Sequence, residues 1–203
     1  MLRIVKDGSE QAVKLFESLR LRDEETDAKV TAAVNEIIAD VRKGGDSSLK
    51  DYTLRFDKCE LDAFEVSQQE LDCAVAQCDI ALITAMKNAA ANIREFHEKQ
   101  KQAEFEFERE NGIKLGQIVR GLARVGIYVP GGRAAYPSSV LMNAIPAKVA
   151  GVGEIIMVTP PQKDGSINKN ILAAAKIAGV DRIFKIGGKF GSVTLNSFSI
   201  SAV

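Results

Sequence analysis

Three short loops rich in glycine and proline are the parts of this sequence best suited to bind a ligand. They are residues 128–133 (Tyr-Val-Pro-Gly-Gly-Arg), 159–161 (Thr-Pro-Pro) and 187–188 (Gly-Gly), and each follows an apolar run. Glycine lets the backbone approach a ligand closely, and proline holds a loop without needing an amide partner. If the apolar runs are parallel strands of one sheet, these loops share the edge at which such sheets bind ligands. The pattern therefore indicates a nucleotide site, although turns that bind nothing also favour these residues.

The usual phosphate-binding motifs do not occur in the sequence. Neither a GxGxxG fingerprint nor a GxxxxGK[ST] loop is present, so a phosphate contact must use other groups. Ser138 and Ser139 precede an apolar segment and are expected to cap a helix there. The free amides of that helix start are the alternative, as an anion site.

Residues for acid/base, nucleophilic or metal chemistry are scarce. His97 is the single histidine, and we expect it to be a solvated or capping side chain far from the three loops. Cys59, Cys73 and Cys78 form no CxxC pair, which predicts small buried thiols in a reducing compartment. The glutamates that alternate over residues 104–110 are typical of the exposed face of a hairpin. No catalytic or metal-ligating residue is therefore predicted.

The first half of the sequence is predicted to be mainly helical. An apolar stripe at helical spacing runs over residues 27–43 and stops at a Gly-Gly pair. Asp46 is expected to cap the next helix, and residues 67–70 (Ser-Gln-Gln-Glu) form a capping box for a third. A longer helix begins near Asp79, with a stripe that predicts core packing: Ile80, Ile83, Met86, Ala90, Ile93 and Phe96.

The second half changes period. Alternating apolar residues on both sides of Asn111-Gly112 predict a β-hairpin, and residues 124–186 read as β-α-β-α-β. The continuous apolar strands indicate a parallel sheet covered on both faces. We therefore predict an α/β fold in which residues 1–123 are a helical segment plus hairpin, 124–188 a Rossmann-like unit, and 189–203 a divergent tail.

The charge composition of the chain limits the kinds of molecule that it is expected to bind. The 27 basic and 27 acidic residues cancel without forming blocks, which argues against nucleic acid or an anionic membrane surface as partner. The apolar runs are strand-sized, and the first residues do not resemble an export signal, so a cytoplasmic protein is expected.

Several extended motifs together resemble histidinol dehydrogenase. They are VGIYVPGG at 125–132, YPSSVLM at 136–142 and IPAKVAG at 145–151, with further similarity at 92–100, 159–161, 171–175 and 183–188. The resemblance covers about residues 1 to 188.

This resemblance implies a homodimeric enzyme that oxidises histidinol to histidine in two NAD-dependent steps with one zinc per active site. It places NAD contacts at Tyr128, Pro130 and Pro160. It also implies that the zinc ligands and the acid/base pair lie further along the family's longer sequence, in a part that this chain does not contain.

The tail departs from the family pattern. Phe190 stands where the family has a glutamine that contacts NAD, and the following residues lack helical periodicity. We therefore expect a truncated, N-terminal fragment that is inactive by itself. The alternatives are a stand-alone module that binds NAD weakly and a non-catalytic subunit that pairs with an intact protomer through exposed apolar surfaces.

Overall fold

The structure, a computed structural model, describes residues 5–131 and 135–187, without the side chains of residues 19–29. Predictions for Gly132, Arg133, Gly188 and the tail 189–203 lie outside the described residues. The helices are α1 (Glu10–Gly44), α2 (Asp46–Asp57), α3 (Gln68–Ala76), α4 (Ile80–Glu98), α5 (Pro137–Val149) and α6 (Lys169–Ala178). The strands are β1 (Phe105–Glu108), β2 (Lys114–Gln117), β3 (Arg124–Tyr128), β4 (Glu154–Thr159) and β5 (Arg182–Lys185).

The predicted β-α-β-α-β unit is present as a parallel sheet of order β3-β4-β5. Tyr128 is level with Val158, and Thr159 is level with Lys185, so the carboxyl ends of all three strands lie at one edge. The central strand β4 is almost wholly buried, which explains its uninterrupted apolar sequence. The predicted α/β fold class is confirmed.

Each face of this sheet packs against a different set of helices. Ile155 and Met157 belong to a core cluster that also contains side chains of α3, α4, α5 and α6. Ile156 and Val158 alternate with them and belong to a second cluster formed with α1 and α2. Because successive side chains of a strand point to opposite faces, the N-terminal helices cover the face that α5 and α6 leave open.

Side chains from both sides of the predicted boundary at residues 123–124 therefore share each core. The division into two domains stays a prediction. The contact of α3 with α6 and of α4 with α5 shows that the helical segment packs directly on the Rossmann-like unit.

Helix α1 differs from its prediction at the start and agrees at the end. It begins at Glu10, with the Ser9 hydroxyl accepting a hydrogen bond from the Ala12 amide at 3.2 Å, and not near Asp27. The segment 10–26 has no glycine or proline to stop the helix, so a cap further upstream sets its start. Gly45, at φ 56°, ends it as predicted.

Two capping predictions for the following helices had different outcomes. Gly45 occupies the N-cap of α2 and Asp46 is the first helical residue, so the prediction that Asp46 caps this helix is wrong. With a single residue between the two helices, the glycine that ends α1 also begins α2. Ser67 caps α3 as predicted, accepting from the Glu70 amide at 3.1 Å.

The stripe predicted for α4 is only partly buried. Met86 lies in the core and Ile83, Ala90 and Ile93 pack against it, but Ile80 and Phe96 are 83% and 62% exposed. Both lie at the ends of the helix, where neighbouring elements no longer cover it. The hairpin β1–β2 forms as predicted, antiparallel with Phe107 opposite Leu115, and both of its faces are exposed.

A short segment, residues 64–66, lies antiparallel along the outer edge of β5, and no local pattern in the sequence indicated this pairing. The Val66 amide donates to the Ile183 carbonyl at 2.9 Å, and the Lys185 amide donates to Phe64 at 2.8 Å. Arg182 holds the segment with two hydrogen bonds to the Glu65 carboxylate, at 2.8 and 2.9 Å. This pairing covers a strand edge that would otherwise be open.

The ion pair between Glu65 and Arg182 makes the stability of this edge depend on pH. The hydrogen bond from Arg182 lowers the pKa of Glu65, so the stabilisation is present above the unfolded pKa of about 4.3 and is lost as pH falls through the folded value. We expect Glu65→Gln to lower the free energy of unfolding by about 0.5 kcal/mol at pH 7 and by progressively less below pH 4. Urea unfolding at several pH values measures this; Glu60→Gln, an exposed neighbour, is the control. A difference that does not change with pH would contradict the assignment.

Candidate functional site

The loops singled out in the sequence meet at the carboxyl edge of the sheet. Strand pairing continues one residue into the first and third loops. The Val129 amide donates to Val158, and the Ile186 amide donates to Thr159, both at 3.0 Å. The described parts of these loops are therefore anchored side by side on a rigid sheet, as a ligand site requires.

The first two loops pack so closely that one of them needs a glycine. A β-carbon at Gly131 would lie 2.7 Å from Cγ of Pro160 and 3.0 Å from the Pro160 carbonyl oxygen. The φ of Gly131 is not positive, so this close approach, and not backbone conformation, is what favours glycine here. This contact holds the first loop, which contains Pro130, directly against Pro160 of the second loop.

Tyr128 ends β3 with its ring on the α1–α2 face. The ring is half-buried and packs against the cluster that contains Val158, Phe184 and Ile186. Burial, together with the charge of Asp57, raises the pKa of Tyr128. The hydroxyl therefore keeps its proton at neutral pH and can donate a hydrogen bond. Pro130 is exposed and Pro160 half-buried, so both can contact a ligand.

Asp57 lies close to the third loop, and no motif in the sequence had indicated it as a candidate residue. It is the last residue of α2, and its carboxylate lies so close to Gly187 that a β-carbon there would overlap both oxygens. Its Oδ2 is buried without a hydrogen-bond partner, and burial raises the pKa of Asp57. One signal was available in the sequence, because an acidic residue at a helix C-terminus is unfavourable to the helix dipole.

Thr159 supplies a second unsatisfied oxygen at the same edge. Its side chain is fully buried at the end of β4, and its Oγ1 has no hydrogen-bond partner. Thr159 alternates with Val158, so its hydroxyl lies on the opposite face of the sheet from Tyr128. Buried polar atoms are nearly always paired in native proteins, so two such atoms near one edge are consistent with a ligand site.

The start of α5 differs from its prediction. Tyr136 is the N-cap, Pro137 is the first helical residue, and no side chain caps the helix. Ser138 and Ser139 lie within the first turn, so the prediction that they supply a hydroxyl cap is wrong. Proline is well suited to the first helical position because its fixed φ matches the helix and no amide is needed there.

Comparison with known proteins identifies the family. Residues 20–195 match the family model for histidinol dehydrogenase. The chain belongs to the histidinol dehydrogenase family. This confirms the resemblance found in the sequence motifs.

Similar histidinol dehydrogenases are longer than this chain. The enzyme of Clostridium acetobutylicum is 51% identical over 188 residues, which are 93% of this chain and 44% of that protein. The enzyme of Lactiplantibacillus plantarum is 54% identical over 163 residues, or 80% of this chain and 38% of that protein. A crystal structure of histidinol dehydrogenase from Elizabethkingia anophelis superposes with a TM-score of 0.77 at 37% identity, covering 82% of this chain and 39% of the other. The chain thus spans about two fifths of the length of these relatives.

The side chains that could hold a metal ion are scattered in the part of the chain that the structure describes. Within residues 5–131 and 135–187, no group of three His, Cys, Asp or Glu side chains could hold a metal ion. Cys59 and Cys78 are buried as expected, whereas Cys73 is exposed on α3, which corrects the prediction for that thiol.

His97 lies apart from the three loops, near the C-terminus of α4. Its Nδ1 is 2.6 Å from Oε1 of Gln100, and its ring meets Phe96 edge-on. It lines a cavity of about 690 Å³ together with Pro146 and Gly151 at the far end of α5. That end of α5 faces the opposite edge of the sheet, so His97 is not part of the candidate site.

Proposed function

We propose that this chain carries the NAD-binding part of a histidinol dehydrogenase, which oxidises L-histidinol to L-histidine in two NAD-dependent steps. The observation that carries the proposal is the convergence of the loops after β3, β4 and β5 at one sheet edge, with Tyr128 half-buried at the end of β3. Ligands of open α/β sheets bind at this edge. We choose NAD as the ligand of this site because the chain belongs to the histidinol dehydrogenase family.

Tyr128, Pro130 and Pro160 are the residues we propose to contact NAD. The ring of Tyr128 offers an apolar wall with a hydroxyl donor, and the prolines offer rigid walls that lose little freedom on binding. The unpaired carboxylate oxygen of Asp57, which comes from α2 on the same face of the sheet as Tyr128, is consistent with a polar ligand at this edge. When bound, NAD supplies the chemistry by accepting the hydride that leaves the substrate carbon.

The chain by itself is proposed to lack histidinol oxidation. A catalytic zinc site takes about three protein ligands, and the described residues offer no such set. His97, the one histidine, lies away from the loops. Histidinol-dependent formation of NADH by the purified chain, followed by its absorbance, would overturn this part of the proposal.

Titration calorimetry with NAD tests the binding function. We expect heat of binding from the unmodified chain and an affinity at least about tenfold weaker for Tyr128→Ala, because an aromatic contact contributes up to about 1.5 kcal/mol beyond its buried area. Tyr128→Phe keeps the ring and isolates the hydroxyl. Phe96→Ala, which removes an exposed aromatic ring beside His97 and away from the three loops, is the matched control. Absence of heat at millimolar NAD would contradict the proposal.

Two further roles follow from the same features. NAD binding without oxidation would make the chain a stand-alone binding module.

The exposed aromatic rings of the hairpin, Phe105 and Phe107 at 54% and 50%, favour association with another protomer, as a homodimer or as a non-catalytic subunit. Co-purification with an intact histidinol dehydrogenase tests the second role, and aggregation of the chain alone would argue against it.

A cytoplasmic location is proposed from the biosynthetic role of the family. In the part of the chain that the structure describes, no helix combines the length and the apolar character needed to cross a membrane.

A further inference from the structure

Asp57 lies beside the third loop of the proposed NAD site and close enough to Tyr128 for its charge to act there. Its carboxylate contacts Gly187 after β5, and its charge contributes to the raised pKa of Tyr128 at the end of β3. The same charge raises the pKa of the buried Cys59 thiol. Asp57 therefore acts on groups from separate segments that meet at the carboxyl edge of the sheet.

Nothing in the described structure neutralises this carboxylate. Lys185, at the end of β5, is paired with Glu70 at 2.8 Å, and Arg182 is paired with Glu65. None of the ion pairs found among the described residues includes Asp57, and its Oδ2 is buried without a hydrogen-bond donor. A buried carboxylate oxygen without a donor costs stability, so the fold alone does not explain an acid at this position.

The chemistry of the group limits what can bind beside it. A carboxylate accepts hydrogen bonds from hydroxyl or amide groups and repels a phosphate. It is a poor cation site by itself, because the described residues place no set of further ligands around it. In dinucleotide-binding sheets, an acidic residue near the strand ends typically binds the adenosine ribose of NAD, where NADP carries its additional phosphate.

We propose that Asp57 is a specificity-determining residue that accepts a hydrogen bond from the adenosine ribose of the bound dinucleotide and excludes NADP by repelling its 2′-phosphate. This inference rests on the proposed function, since it concerns the same site. In this proposal the acidic residue comes from outside the Rossmann-like unit. Asp57 comes from α2 in the N-terminal helical segment, so that segment contributes directly to dinucleotide selection.

Calorimetric titration of NAD and NADP against the whole chain tests the proposal. The unmodified chain should bind NAD more than tenfold tighter than NADP. Asp57→Asn should weaken NAD about tenfold, because it replaces a charge-assisted hydrogen bond, and should leave NADP unchanged or tighter. Asp57→Glu keeps the charge and should still reject NADP. Asp51→Asn, an exposed position on the same helix, should leave both affinities unchanged.

One measurement needs no variant, which covers the case in which Asp57→Asn does not fold. The unmodified chain should bind NAD that lacks the adenosine 2′-hydroxyl about tenfold more weakly than NAD. Equal affinity for the two, or an unchanged ratio of NAD to NADP in Asp57→Asn, would overturn the role of Asp57 while leaving NAD binding intact. No binding of NAD to the unmodified chain would instead overturn the proposed function and this inference together.

Discussion

Replacing Ile156 with alanine is expected to lower the free energy of unfolding by about 3 kcal/mol, the largest effect that we predict for a single substitution. Ile156 is 1% exposed in the central strand β4, and its side chain packs in the cluster with α1 and α2. The loss combines the transfer free energy of the removed carbons with the cavity that remains, because a strand fixed on both sides cannot collapse around it. Urea unfolding followed by circular dichroism measures the change.

The same experiment tests whether the two faces of the sheet are separate. Met157→Ala should destabilise the chain to a similar extent, but hydrogen exchange should quicken in α6 for Met157→Ala and in α2 for Ile156→Ala. Ile118→Ala is the control, because Ile118 is 70% exposed and its truncation should change stability by less than about 0.5 kcal/mol. A loss below about 1 kcal/mol for Ile156→Ala would show that α1 and α2 do not cover this face.

Gly131→Ala is expected to destabilise the chain by about 1–3 kcal/mol, although alanine is compatible with the backbone at this position. The added carbon would meet the Pro160 ring at 2.7 Å and the Pro160 carbonyl oxygen at 3.0 Å. Neither a proline ring nor a backbone carbonyl can rotate away as a flexible side chain can. The two loops must therefore separate, and the proposed NAD contacts at Pro130 and Pro160 separate with them.

A double-mutant cycle isolates this contact. Pro160→Ala removes the ring but keeps the carbonyl oxygen, so it should recover only part of the cost of Gly131→Ala, with a coupling of about 1 kcal/mol. Unfolding by urea measures the cycle without reference to any ligand. Additive effects of the two substitutions would show that the loops after β3 and β4 do not depend on each other.

Local signals in the chain were sufficient for the type and order of most elements and for the sheet edge at which the candidate site lies. The apolar runs that became β3, β4 and β5, the Asn111-Gly112 turn and the Gly44-Gly45 stop depend on neighbours in sequence, and each was found where expected. Parallel strands have only one carboxyl edge, so the strand order also placed Tyr128, Pro130 and Pro160 on that edge.

Which elements pack against each other was decided only by the tertiary structure. An apolar stripe on a helix shows which side is buried but not what buries it, so the packing of α1 and α2 on the sheet had no local signal. The same is true of the segment 64–66 beside β5 and of Asp57 against Gly187. Those contacts join residues distant in sequence, and their favourable free energy exists only after the chain has closed the long loops between them.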